Sequence, residues 1–265
     1  MNLEKGSKVF LGPLILLFVS YIIYYARYPM WQSSVTIETI SLLSILSYFI
    51  VLIVALFLLK KDSLKSLSNV FENKGSLYII IGFAFGLLYL GLFYLISFFL
   101  GSTFEFTSFP SLRGFESYPA YSLASAFILY LFFSVFGAFG EEVAYRGYIQ
   151  TRISGKYGYV VGIVVSALLF SLQHIHVFEP SWLIQFFQTQ FIHALIFGIF
   201  SGYLFFKSSD NIWSTFSFHA FLNIFSVTIP IALTHSFQLT FYIAEIASFA
   251  VMIIFLHYLQ FQNKK

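Results

Sequence analysis

The sequence predicts an all-α, polytopic membrane protein, with about eight transmembrane helices around a polar intramembrane cavity. Three observations carry this. Of 265 residues, 59% are hydrophobic and 9% charged. A soluble domain carries roughly 25% charged residues, so this chain lacks the polar groups to cover a water-facing surface. The apolar residues also fall in runs of about 20, the length that crosses a hydrocarbon core. Finally, Lys and Arg collect in alternate connecting segments, the bias of cytoplasmic loops.

Candidate spans are 9–28, 39–59, 77–100, 124–150, 157–177, 184–206, 212–229 and 238–259. Lys5 and Lys8 precede the first, which resembles a secretory signal at its start. It runs to about Tyr25 with no small-residue cleavage site, however, and Tyr24, Tyr25, Tyr28 and Trp31 mark a membrane interface. It is therefore read as a retained helix. With the N-terminus inside, this count puts Lys5, Lys8, Lys60, Lys61, Lys65, Lys74, Arg146, Arg152, Lys156, Lys207, Lys264 and Lys265 on the cytoplasmic side. Arg27 and Arg113 face out, and both termini are cytoplasmic.

The organisation expected is an N-terminal three-helix membrane region (1–120), a core bearing the chemistry (121–230), and a last helix with a cytoplasmic tail (231–265). No internal repeat or linker interrupts it. The basic residues are scattered and the net charge is +3, so there is no clustered face for nucleic acid. The absence of cysteine removes disulfides, thiol catalysis and thiolate metal sites.

An ionised side chain inside a membrane costs about 2.5–3.5 kcal/mol on insertion scales and needs a reason. The fourth span holds Gly140-Glu141-Glu142-Val143-Ala144-Tyr145-Arg146. Glu142 and Arg146 are four apart with the acid first, so they pair on one helix face. Glu141 lies about 100° around the helix and points elsewhere. The bland alternative is one structural salt-bridge cluster of all three. The fifth span ends in Phe170-Ser171-Leu172-Gln173-His174, and the seventh carries His219-Ala220-Phe221-Leu222-Asn223. His219 and Asn223 share a face. Each histidine alone reads as an ordinary hydrogen-bonded residue of an apolar helix.

Depth joins them. With a turn near Ser154–Gly158, Glu141 lies roughly 20 Å before it and His174 roughly 24 Å after it. His219 lies roughly 12 Å beyond the turn at Ser208–Asn211. All three then fall within a core about 30 Å thick. Such a cavity suits hydrolysis by water, with a carboxylate as general base and amide or imidazole donors for an oxyanion. No serine elbow or cysteine supports a covalent route. Glu245, His193 and His176 are further polar candidates, Glu245 as a lone acid that pairs with another helix.

In order, Glu141-Glu142-x-x-x-Arg146, Phe170-x-x-x-His174 and His219-x-x-x-Asn223 resemble the three motifs of the CPBP (CAAX protease and bacteriocin-processing, or Abi) family. The resemblance covers about 120–230. It implies an intramembrane endopeptidase acting on a membrane-proximal peptide or protein, in CAAX-like processing, peptide maturation or bacteriocin self-immunity. It also implies that Glu141 and His174 activate the water, and that His219 and Asn223 hold the oxyanion. Glu142 and Arg146 then keep the geometry and Phe170 shapes the wall. The expected partners are that substrate and the bilayer, and the compact chain points to a bacterial plasma membrane. No cofactor is obligatory in this reading; zinc on Glu141, His174 and His219 stays open, although there is no H-E-x-x-H. Two other classes compete. A silent scaffold or immunity partner would tolerate Glu141→Gln, and a proton-coupled transporter would show related halves.

Overall fold

The computed structural model describes residues 9–22, 37–61, 75–106, 123–174, 190–228, 231–235 and 238–259. Arg27, Arg113, His176, the Tyr24–Trp31 aromatics and Lys5, Lys8, Lys65, Lys74, Lys264 and Lys265 lie outside them. The elements run α1 (Val9–Ile22), α2 (Ile37–Lys61), α3 (Gly75–Phe99), β1 (Thr103–Phe106) and α4 (Leu123–Glu142). The last continues unbroken as a π-helix (Val143–Gln150) into α5 (Thr151–Tyr157). Then come α6 (Tyr159–Leu172), α7 (Gln190–Lys207), α8 (Ile212–Thr228), β2 (Ile231–His235) and α9 (Gln238–Tyr258).

By length and composition, α3, α7 and the Leu239–Tyr258 part of α9 are able to cross a membrane, while α1, Leu46–Lys60 of α2 and α6 are shorter apolar helices. The distribution of side chains is inverted relative to a water-soluble bundle. Phe99, Val160 and Leu239 are 77%, 76% and 68% exposed, whereas Glu142, Arg146, Gln150, Ser201 and Thr215 are buried. An apolar exterior of this extent needs lipid around it.

Two features depart from the spans and connections that the sequence predicts. β1 and β2 pair antiparallel, with Phe104 opposite Leu233 and Phe106 opposite Ile231. Both strands lie in stretches that read as connections between spans, too short to announce a strand by alternation. They tie the exit of α3 to the link between α8 and α9. The fourth span also outruns its predicted end: helix persists to Tyr157, and the chain reverses at Gly158, whose φ of +87° suits a residue without Cβ.

Two contacts set the height and spacing of the helices that carry polar groups. Between α7 and α8, Asn211 Oδ1 accepts the Trp213 N–H at 2.9 Å, an N-cap. Ser214 Oγ donates to the Asn211 carbonyl at 3.0 Å, so the start of α8, and thus the depth of His219, is fixed. Between α6 and α7, Gly198 meets Ala167 so closely that a Cβ on the glycine would lie 2.9 Å from Ala167 Cβ and 3.0 Å from its Cα. Close backbone approach through small residues is how membrane helices associate. Gly198→Val should therefore cost about 1–3 kcal/mol by overpacking, read as a lower apparent Tm of the detergent-purified protein. An unchanged Tm would show that α6 and α7 do not depend on this contact.

Candidate active site

Glu142 closes α4, and the backbone then widens. Over Val143–Gln150 it is a π-helix, in which amides reach back five residues, and all eight residues are buried. Two carbonyls of this stretch take side-chain donors as well: Ser166 Oγ donates to Tyr145 at 2.7 Å and Thr151 Oγ1 to Arg146 at 3.1 Å. The segment is encased on every side, so its polar side chains must be satisfied by neighbouring helices.

They are. Glu142 is 0% exposed, and its Oε1 accepts from Arg146 Nη1 at 3.0 Å. The same oxygen faces His219 Nδ1 at 3.0 Å, and Oε2 accepts from Ser201 Oγ at 3.1 Å. The carboxylate thus draws on its own helix, α7 and α8. Arg146 reaches on to the Gly198 carbonyl at 3.4 Å, and one turn later Gln150 Nε2 donates to the Gly202 carbonyl at 2.9 Å. The guanidinium carbon lies 4.6 Å from the centre of the Phe170 ring and 5.5 Å from that of Phe197, cation–π contacts that help hold a buried charge.

Phe170 is the partition of the site. Its ring stands 5.3 Å from Tyr145, 5.0 Å from His174, 6.0 Å from His219 and 5.6 Å from Phe197. His174 sits in the turn after α6, where its Nδ1–H donates to the Phe170 carbonyl at 2.9 Å. A carbonyl accepts only, so the proton is on Nδ1 and Nε2 is the basic nitrogen. His219 is arranged alike: Nδ1 donates to Glu142, and Nε2 lies 3.7 Å from Glu141 Oε2. That gap exceeds a hydrogen bond. The Glu141 side chain is 12% exposed.

The sequence-derived residues therefore divide as follows. Glu141, Glu142, Arg146, Phe170 and His219 form one contiguous cluster, and His174 joins it through Phe170. Asn223 is one turn beyond His219 on α8 and half-buried. Glu141 does point away from the Glu142–Arg146 pair, yet it is not independent of it, because both carboxylates face one imidazole. Ser201, Phe197, Gln150 and the two α7 glycines escaped the sequence reading. Gly198-Ile199-Phe200-Ser201-Gly202 has the small-residue spacing of a membrane-helix contact, and that signal would have marked this face of α7. Away from the cluster, the half-exposed His193 on α7 bonds through Nδ1 to the fully buried Glu245 on α9.

Among the described residues, no three His, Asp or Glu side chains are grouped so as to hold a metal ion.

Breaking a buried pair from one side leaves an uncompensated charge. Arg146→Met should destabilise by about 3–5 kcal/mol, seen in thermal unfolding in detergent. Adding Glu142→Gln should recover part of that loss, since no net charge then remains. A single variant as stable as the parent would show that the pair does not organise the site.

The sequence model of the Rce1-like family, described as type II CAAX prenyl endopeptidase Rce1-like, matches residues 123–225. No curated protein matches the chain. The matched stretch runs from the start of α4 into α8 and contains every residue of the three motifs. Residues 123–225, and with them the whole cluster around Glu142, are thus similar to the Rce1-like family of CAAX endopeptidases.

Proposed function

We propose that the chain hydrolyses a peptide bond of a membrane-associated substrate with a water activated by Glu141. The observation that carries the reading is His219 lying between two carboxylates, its Nδ1 at 3.0 Å from Glu142 and its Nε2 at 3.7 Å from Glu141. Glu142 has Arg146, Ser201 and His219 on its oxygens, so it is occupied in holding the helices together. Glu141 stands 3.7 Å from His219 Nε2, beyond hydrogen-bond reach, and is the carboxylate left to take a proton from water.

In the proposed cycle, water is held between Glu141 and the basic Nε2 of His174. Glu141 accepts a water proton as the oxygen attacks the scissile carbonyl carbon. The carbonyl oxygen becomes an oxyanion, bonded by the Asn223 amide and by His219 Nε2–H when the imidazole is protonated. The C–N bond then breaks, and the leaving nitrogen takes the proton back from Glu141. Phe170 and Phe197 exclude bulk water around these groups, which strengthens each electrostatic contact. The family description fits a substrate ending in a prenylated CAAX sequence. The basic-loop bias supports cytoplasmic termini.

The test is cleavage of a farnesylated CAAX peptide by detergent-purified protein, read by mass spectrometry. Glu141→Gln should lower kcat by about 10²–10⁴, and Asn223→Ala by about 10²–10³, without loss of folded protein. Activity should persist in chelator. Undiminished cleavage by Glu141→Gln would sink the general-base role, and loss in chelator restored by zinc would recast Glu141, His174 and His219 as ligands.

A further inference from the structure

The mechanism leaves one intramembrane acid unused. Glu245 is 0% exposed on α9, an apolar helix, and its Oε2 is buried with no hydrogen-bond partner among the described residues. Its other oxygen meets Nδ1 of His193, whose side chain is 50% exposed. A carboxylate accepts, so Nδ1 carries a proton, and the second ring nitrogen is engaged by no described residue. Protonation there gives an imidazolium that Glu245 balances, which a lone histidine against an apolar surface lacks. Tyr89 on α3 packs its ring 4.7 Å from Phe249, one turn beyond Glu245 on α9, so three helices surround the pair.

Its position relative to the catalytic cluster is set by α7. His193 and Phe197 are one turn apart on the same face, and the Phe197 ring is 4.7 Å from that of His219. One helical turn adds about 6 Å along the axis, so His193 stands roughly 8–11 Å from His219, the imidazole assigned to the oxyanion. Three residues of extended peptide also span about 10 Å. A CAAX sequence ends three residues after its cysteine, and that end is a free carboxylate.

We infer that His193, oriented by the buried Glu245, receives the C-terminal carboxylate of the substrate and thereby sets where the chain is cut. His193 is the specificity-determining contact and Glu245 a positioning residue behind it. This rests on the endopeptidase reading, and the experiment separates the two.

The full chain bearing Glu141→Gln, placed in nanodiscs, binds the peptide without cutting it. Affinity is measured by fluorescence anisotropy for a farnesylated CAAX peptide with a free C-terminal carboxylate and for the same peptide as its amide. With His193 present, the acid should bind about tenfold tighter than the amide, the scale of a charge-assisted hydrogen bond. His193→Gln keeps a donor for Glu245 but no cation. It should bring the acid to the affinity of the amide and leave the amide unchanged. Glu245→Gln should reduce the same discrimination, whereas a merely structural role for either residue would weaken both peptides alike. Equal affinities with His193 present, discrimination surviving in His193→Gln, parallel weakening of both peptides, or no binding of either would each overturn the assignment. Discrimination between the two peptides alongside a chain with Glu141 intact that cleaves neither would instead sink the endopeptidase reading and leave the carboxylate site standing.

Discussion

The architecture depends on one costly group, the Glu142 carboxylate, which is fully buried at the centre of an apolar bundle. A charge there is tolerated only if its hydrogen-bonding capacity is met within the protein. Three sources meet it: Arg146 from the same helix, Ser201 from α7 and His219 from α8. Each contact places a helix. Ser201 reaches the carboxylate because Gly198 and Gly202 let α7 approach, and their carbonyls in turn take Arg146 and Gln150. His219 reaches it because the Asn211 cap fixes the start of α8. The polar interior thus specifies the packing that lipid-facing Phe, Leu and Val, interchangeable against acyl chains, leave undetermined.

Two adjacent carboxylates with different duties follow from helical geometry. Neighbours in sequence point about 100° apart, so one position of a helix turns inward while the next turns to the edge of the cavity. Glu142 has its oxygens occupied by cation, hydroxyl and imidazole. Glu141 meets only the far edge of that imidazole. The π-helix that begins immediately afterwards has a consequence here. Its wider turn carries Tyr145, Arg146 and Gln150 around the axis at a different pace from an α-helix, so that Arg146 returns to Glu142 while Gln150 addresses α7.

This explains what the sequence could and could not reveal. Apolar runs locate helices because lipid imposes length and composition. Glu142 and Arg146 were legible as a pair because four residues separate them along one helix, and the three motifs drew attention to Glu141, His174 and His219 because ionisable groups are rare in such helices. The partners that complete the cluster were not legible in the same way. Ser201 and Gln150 are ordinary residues until the register of α7 against the central helix is known, and nothing in Val143–Gln150 distinguishes a π-helix from an α-helix by composition. The β1–β2 pair joins stretches more than a hundred residues apart, a contact that no local pattern encodes. His193 and Glu245 had been noted separately, and only their packing makes them one object.

That packing puts both polar sites on a single rigid element. Along α7, His193, Phe197 and Ser201 recur at intervals of four and share a face. At one end of the stripe is the histidine held by Glu245, in the middle the ring against His219, and at the far end the hydroxyl on Glu142. The rise of a helix is fixed by its backbone hydrogen bonds, so the interval between the reacting groups and the outlying imidazole does not vary with loop motion. An enzyme that counts residues from a chain end needs such an interval. On the proposal made for His193, the pitch of one helix supplies it, and α7 is held at that height by the carboxylate at the centre of the bundle.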